Sequence, residues 1–304
     1  EGIMLNKDKL NALLTEYKSD FSAQWEKENY KRIAIKHFQD NWNIDADDFP
    51  TMLSNALSKT GNLLAALNFF PRRMIKQYAT RFPEEVRGLF EGLFNESSDL
   101  KERIDAFIAG IEYIHKQWNG NGTLNHYQTF NAVSTYLWLR YPDKYYIYKP
   151  SVAKLMFEKL GVDIKLTPLR ANAVIRTYEL YDHISKTLYK DNEFKKILVE
   201  SLADTCYSDE FMVTAAIDLG YYFKKQQNSR KAKALRENFF YYPMKKAKLS
   251  TSIPNSEFRI PNFNFYLFQE TRTYATSLES ILPSLLRSYL AYSCSALTPM
   301  ISPK

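Results

Sequence analysis

The sequence predicts a mainly α-helical protein: a multi-helix domain with one small β-hairpin or short sheet, followed by a less regular, basic C-terminal segment. Three observations carry this prediction. Apolar residues recur at helical spacing through most of residues 4–223. Glycine is scarce, at 9 of 304 residues, which argues against a turn-rich β-sandwich and against glycine-rich phosphate loops. Pro50, Pro71, Pro83 and Pro150 each stand where a helix would open, in the first turn that tolerates a missing amide.

Taken in order, Leu10, Leu13, Leu14 and Tyr17 mark a first short helix. Ser22 caps a second, whose apolar positions are Trp25, Ile33, Phe38 and Trp42. Asp45, Asp47 and Asp48 precede Pro50 as helix-start acids. A Ca²⁺ loop is the other reading of three close acids, but it requires a central glycine and a terminal glutamate that are absent here. Gly61 breaks the next helix, and Pro71–Thr80 and Pro83–Phe94 follow as two more. Ser97-Ser98-Asp99 with Glu102 resembles a capping box before Leu100–Trp118, where Ile104, Phe107, Ile108, Ile111 and Ile114 make a long stripe.

After an Asn-Gly loop at 119–122, Asn125 caps a helix with Phe130, Val133, Leu137 and Tyr141 on one face. Pro142 ends it. Tyr145-Tyr146-Ile147-Tyr148 has strand composition, and Val162–Leu166 alternates like a second short strand. Between them Pro150 opens a helix to Leu160 that stops at Gly161. Thr167-Pro168 caps a long helix to about Lys190, and Glu193–Leu202 and Phe211–Tyr222 read as further helices. Beyond Gln226 the helical period is lost until Ser277–Tyr292. The expected organisation is a helical domain over 4–228 and a basic, aromatic-rich tail over 229–304; a split of the first into two subdomains near 119–124 stays open. Residues 1–3 precede Met4 and read as a cloning remnant.

The net charge is +7, unevenly placed: residues 224–304 hold 13 Lys/Arg against 4 Asp/Glu, and the remainder is near neutral. A basic tail reads as nucleic-acid contact or as a solvated linker. Two cysteines, Cys206 and Cys294, supply neither a disulfide framework nor a zinc site, and a cytoplasmic location is the simplest expectation. No apolar run of about 18 residues occurs, so a membrane partner is not expected.

Few patterns bear on chemistry. His37, His115, His126 and His183 lie in no metal-binding motif, and His37 reads as a hydrogen-bonded residue at the core's edge. The phosphate-loop string GxxxxGK[ST] is absent, so nucleotide hydrolysis is not expected and no cofactor or resident metal is called for. Pro142-Asp143 followed by Asp163-Ile164-Lys165 follows the order of metal-dependent nucleases, in which two carboxylates hold Mg²⁺ and a lysine assists water. Asp143, Asp163 and Lys165 form that catalytic alternative; a turn aspartate and a surface strand form the other. The cluster Trp138, Arg140, Tyr145, Tyr146 and Tyr148 reads either as helix–strand packing or as an aromatic platform for a nucleic-acid base. Arg72 and Arg73 at a helix start would suit phosphate, but a solvated face is the reading their position favours; Lys231, Lys233, Arg236, Lys245 and Lys246 in the tail among Phe239–Tyr242 would suit phosphate or belong to a solvated linker.

Five strings bear on family: Trp25–Lys31, AIKHFQDNWNIDADDF over Ala34–Phe49, GNLLA over Gly61–Ala65, FPR over Phe70–Arg72, and NHYQTFNAVSTYLWLRYPDKYYIYK over Asn125–Lys149. Together they resemble the N-terminal regions of McrB-like AAA+ proteins, the NTP-driven subunits of modified-DNA restriction systems. The likeness covers about residues 20–223, with Asp204–Glu210 also fitting, and ceases after about Ser229. It implies a DNA-recognition or regulatory domain that partners DNA and an AAA+ motor or nuclease subunit, with oligomerisation open. GTP or ATP with Mg²⁺ would belong to a motor domain, which this sequence does not show. A protein-interaction scaffold is the alternative function.

Overall fold

A computed structural model describes residues 3–65, 69–118, 125–163, 167 and 170–241, with side chains described as far as residue 234. The chain divides into two units, Glu1–Tyr242 and Pro243–Lys304; the second lies outside the described residues, and with it the helix expected over Ser277–Tyr292.

The first unit is mainly helical over its described residues. Its elements run α1 (Lys7–Ser19), α2 (Phe21–Glu28), α3 (Tyr30–Asn41), α4 (Phe49–Ala56), α5 (Gly61–Leu64), α6 (Pro71–Arg81) and α7 (Pro83–Phe94). They continue with α8 (Leu100–Trp118), α9 (Phe130–Arg140), α10 (Pro150–Lys159), α11 (Ala171–Lys190), α12 (Asn192–Ser201) and α13 (Val213–Tyr241). Prolines open α6, α7 and α10 as expected. Asp48 caps α4 by accepting from the Thr51 amide at 3.0 Å, and Gly161 follows α10 at φ +70°, where a Cβ would be strained.

Several boundaries differ from expectation. The second helix is two, α2 and α3, meeting at Asn29, and Asp20 rather than Ser22 stands at the start. At the start of α8 the capping run Ser97-Ser98-Asp99 acts through Asp99, which accepts from the amides of Lys101 and Glu102 at 2.9 and 3.1 Å, in keeping with the expectation. Asn125 does not cap α9; Thr129 occupies that position. The boundary expected near Asn228 falls inside α13, which runs unbroken to Tyr241. Residues 119–124 lie outside the described residues.

The expected β-hairpin is not seen: among the described residues, 145–149 pair with no strand, and of Val162–Leu166 only Val162 and Asp163 are described, in irregular backbone. The reason is visible in the backbone of the tyrosine run. At Tyr148 the backbone polar groups are satisfied by side chains of α9 instead of a ladder, and the Tyr145 amide donates to the Tyr141 carbonyl at 3.1 Å. The Tyr148 amide donates to Ser134 Oγ at 2.9 Å, and the Tyr148 carbonyl accepts from Asn131 Nδ2 at 2.8 Å. Both faces of the run are then buried, so strand composition serves packing rather than pairing.

One contiguous core extends from Ile3 to Phe223. α6, α7 and α8 pack together, α3 packs on α4 and α9, and α13 packs on α10, α11 and α1. At Gly220 α13 passes so close to its neighbours that a Cβ would lie 2.5 Å from the Tyr181 hydroxyl and 2.8 Å from Val152 Cγ1. Gly220→Ala should therefore destabilise by about 1–3 kcal/mol through overpacking, even though alanine is the better helix former by about 1 kcal/mol. A thermal melt followed by circular dichroism checks this, and an unchanged or raised midpoint would show that Tyr181 gives way.

α3 is tied to the start of α13 by buried charge. Arg32, with no exposed surface, donates Nη1 to Asp218 and Nη2 to Asp209, both at 2.7 Å. Lys31, equally buried, donates to Asp218 at 2.7 Å and to Glu28. Asp209 also accepts from the amides of Thr214 and Ala215 at 2.8 Å, so it anchors the first turn of α13. Burial alone would lower the Arg32 pKa, but Asp218 and Asp209 outweigh it and hold the guanidinium well above its ordinary value.

Candidate nucleic-acid interface

The aromatic platform read from the sequence is core. Trp138 has no exposed surface and donates its indole N–H to Thr214 Oγ1 at 3.2 Å. Tyr146 is stacked on Tyr181 with ring centroids 5.3 Å apart, and its hydroxyl donates to Asp182 at 2.8 Å beside Ser185 Oγ at 2.9 Å. The Tyr145 hydroxyl accepts from Arg103 at 2.8 Å and donates to Glu96 at 2.6 Å. Tyr148 is buried as well, which pushes its hydroxyl up to about 12. The ring faces are covered, so the packing reading of this stretch holds and the base-platform reading finds no open ring face. Arg140, at the end of α9, is half-buried, with its guanidinium 4.8 Å from the Tyr141 ring centre.

Two of the three residues of the nuclease alternative are described. Asp143 accepts from the Tyr207 hydroxyl at 2.6 Å, Asp163 is exposed, and Lys165 lies outside the described residues. Among the described residues no group of three or more His, Cys, Asp or Glu could hold a metal ion. His37 sits at the core's edge as expected, between the Asn55 carbonyl at 2.9 Å and Ser58 Oγ at 2.8 Å.

What the fold does bring together is a basic cleft of about 340 Å³ along the outer face of α6, lined by Arg72, Arg73, Lys76, Gln77 and Thr80. The spacing explains it. Pro71, Met74, Ile75, Tyr78 and Ala79 bury the inner face, leaving 72, 73, 76, 77 and 80 turned outward. Arg72 is held from behind, its Nη1 donating to the Ser58 carbonyl at 2.9 Å and to the Leu57 carbonyl at 3.5 Å, which orients the guanidinium. Among the described residues no carboxylate lies in ion-pair distance of Arg72, Arg73 or Lys76, although the chain forms ion pairs readily elsewhere. Three cations on a concave surface, with the Gln77 amide beside them and the positive end of a helix beneath, favour an anion such as a phosphate chain.

Sequence reasoning found Arg72 and Arg73 and missed Lys76, Gln77 and Thr80. Their i, i+4, i+8 and i, i+4, i+7 spacing from the two arginines was the available signal. Comparison with protein-family models, with curated proteins and with solved structures finds no match for this chain. The geometry therefore carries the functional reading.

A second basic surface lies on α13. Lys231 and Lys233 are exposed there, and Arg236 falls on the same helix with its side chain outside the described part. Lys245 and Lys246 lie outside the described residues. The adjoining cleft between α10 and α13, about 360 Å³, mixes Lys159, Arg230 and Lys231 with Glu158. Arg230 also faces Glu16 at 3.8 Å. This surface is less uniformly positive than the α6 cleft.

Proposed function

We propose that this chain is a DNA-recognition or regulatory domain of the kind that the McrB-like resemblance implies, contacting the phosphate backbone through the α6 cleft and adding charge from α13. The observation that supports it is the cluster of Arg72, Arg73 and Lys76 without a carboxylate in reach. Packed surfaces ordinarily intersperse signs, and like charges held together are favourable when a polyanion neutralises them. No catalytic step is assigned to the chain's own residues. Partnership with a motor or nuclease subunit belongs to the same proposal.

Binding to short DNA duplexes, cytosine-methylated and unmethylated, tests it. Arg73→Glu with Lys76→Glu should weaken binding at least about tenfold at low salt and reduce the slope of log affinity against log salt by about two, one per lost phosphate contact. An unchanged slope would remove the cleft from the interface. A second reading, a protein-interaction scaffold, draws on a different observation: Tyr189 and Phe211 stack on each other at 6.3 Å while 43% and 50% exposed, an apolar pair open to a partner. Absence of DNA binding at either salt would move that reading to first place.

A further inference from the structure

We infer that the DNA taken up at the α6 cleft is single-stranded, its unstacked bases resting on an aromatic rim made by Phe69, Phe70 and Tyr127. This rests on the DNA reading above and names the strand form. Tyr127 has φ +57°, a backbone region that bulky side chains rarely enter. The turn is held there by its surroundings: the Tyr127 amide donates to Asn125 Oδ1 at 2.7 Å, and the Thr129 amide donates to the Tyr127 carbonyl at 2.9 Å.

The neighbouring Gln128 fastens the turn to the helix that carries the cations. Its side chain, fully buried, donates to the Pro71 carbonyl at 2.7 Å and accepts from the Tyr136 hydroxyl at 2.7 Å. The result is a strained, pinned turn that sets the Tyr127 ring edge-to-face with Phe69 and Phe70, at 6.4 and 5.6 Å. All three rings are half-buried rather than enclosed in the core. Phe70 adjoins Pro71, so the rim begins within three residues of Arg72 and Arg73.

Cations that track a backbone beside aromatic faces that accept bases are the two components of single-strand binding, and the stacking is sequence-tolerant because every base has a π-face. A duplex hides its base faces in the stack and could use only the cations. A strained turn whose product is a ring displayed beside a phosphate cleft is accounted for by a ligand with free base faces.

The test is fluorescence anisotropy on the full chain with a labelled mixed-sequence strand of about 12 nucleotides and the matching duplex, at about 50 and 200 mM salt. The expected result is that the strand binds at least about fivefold tighter than the duplex, and that Tyr127→Leu, which keeps apolar bulk but removes the π-face, weakens only the strand, by about fivefold to tenfold. Phe70→Leu gives the same readout should the Tyr127 variant not fold, and the preference of the unaltered chain needs no variant at all. Equal or tighter duplex binding, or a strand preference untouched by both substitutions, overturns this inference while the DNA reading stands. No binding to either form at the lower salt overturns both.

Discussion

Replacing Arg32 with leucine is expected to destabilise the protein by about 3–5 kcal/mol, the penalty for leaving buried carboxylates without their counter-charge. Arg32 bridges Asp209 and Asp218, which are 1% and 2% exposed, and among the described residues no other cation pairs with Asp209. Lys31 reaches Asp218 but not Asp209. Against the roughly 5–15 kcal/mol total of a natural domain, such a loss is a third of the stability or more. Arg32→Lys should recover little, because an ammonium cannot present the fork that engages both acids at once. Asp209→Asn should also destabilise, because Thr214 donates to Oδ1 while Ala215 and Arg32 donate to Oδ2, and an amide offers only one acceptor oxygen, so at least one of these bonds is lost; Arg32 keeps Asp218, which makes the loss smaller than that of Arg32→Leu. Urea unfolding of the three variants orders them. An Arg32→Leu midpoint equal to the parent's would show that the network contributes nothing net, as well-packed hydrophobic replacements of ion pairs sometimes do.

The second large effect is at Tyr146. Tyr146→Ala removes a ring stacked on Tyr181 and tilted against Tyr178, and the loss should be about 3–5 kcal/mol from transfer and cavity terms together. Tyr146→Phe keeps the ring and removes only the hydroxyl that donates to Asp182 beside Ser185. That should lower stability by about 1–2 kcal/mol. DNA affinity separates the two roles this tyrosine could have. If it is core, Tyr146→Phe binds DNA within about twofold of the parent, a difference under 0.5 kcal/mol, and Tyr146→Ala loses binding only as far as it unfolds. A phenylalanine variant with a native melt and clearly weakened binding would restore the tyrosine run as a recognition element.

How much could be read before folding varies by element, for physical reasons. The starts of α6, α7 and α10 were legible because proline acts through its own ring and its own missing amide. The Asp48 cap was legible because its acceptor and donor lie three residues apart. The inner face of α6 could be read from its period, and with it the outward position of Arg72 and Arg73. Each of these is a property of a few consecutive residues. The strand expected at Tyr145–Tyr148 failed for the opposite reason: tyrosine and isoleucine favour a half-buried extended chain, but whether that chain joins a ladder depends on what stands beside it, here Asn131 and Ser134.

The sequence by itself determined a helical chain, most of its helix starts, the apolar faces and the arginine pair of the candidate site. Only the tertiary structure decided which polar groups those faces bury and which they leave open. Arg32 and Asp218 are 186 residues apart in the chain, and no local pattern joins them. Gln128 and Pro71, 57 residues apart, set the aromatic turn against the basic helix in the same way. Local signals specify backbone conformation because they act within one turn. Charge pairing, ring burial and the absence of a carboxylate near a cation are properties of neighbours in space, fixed only when the helices pack.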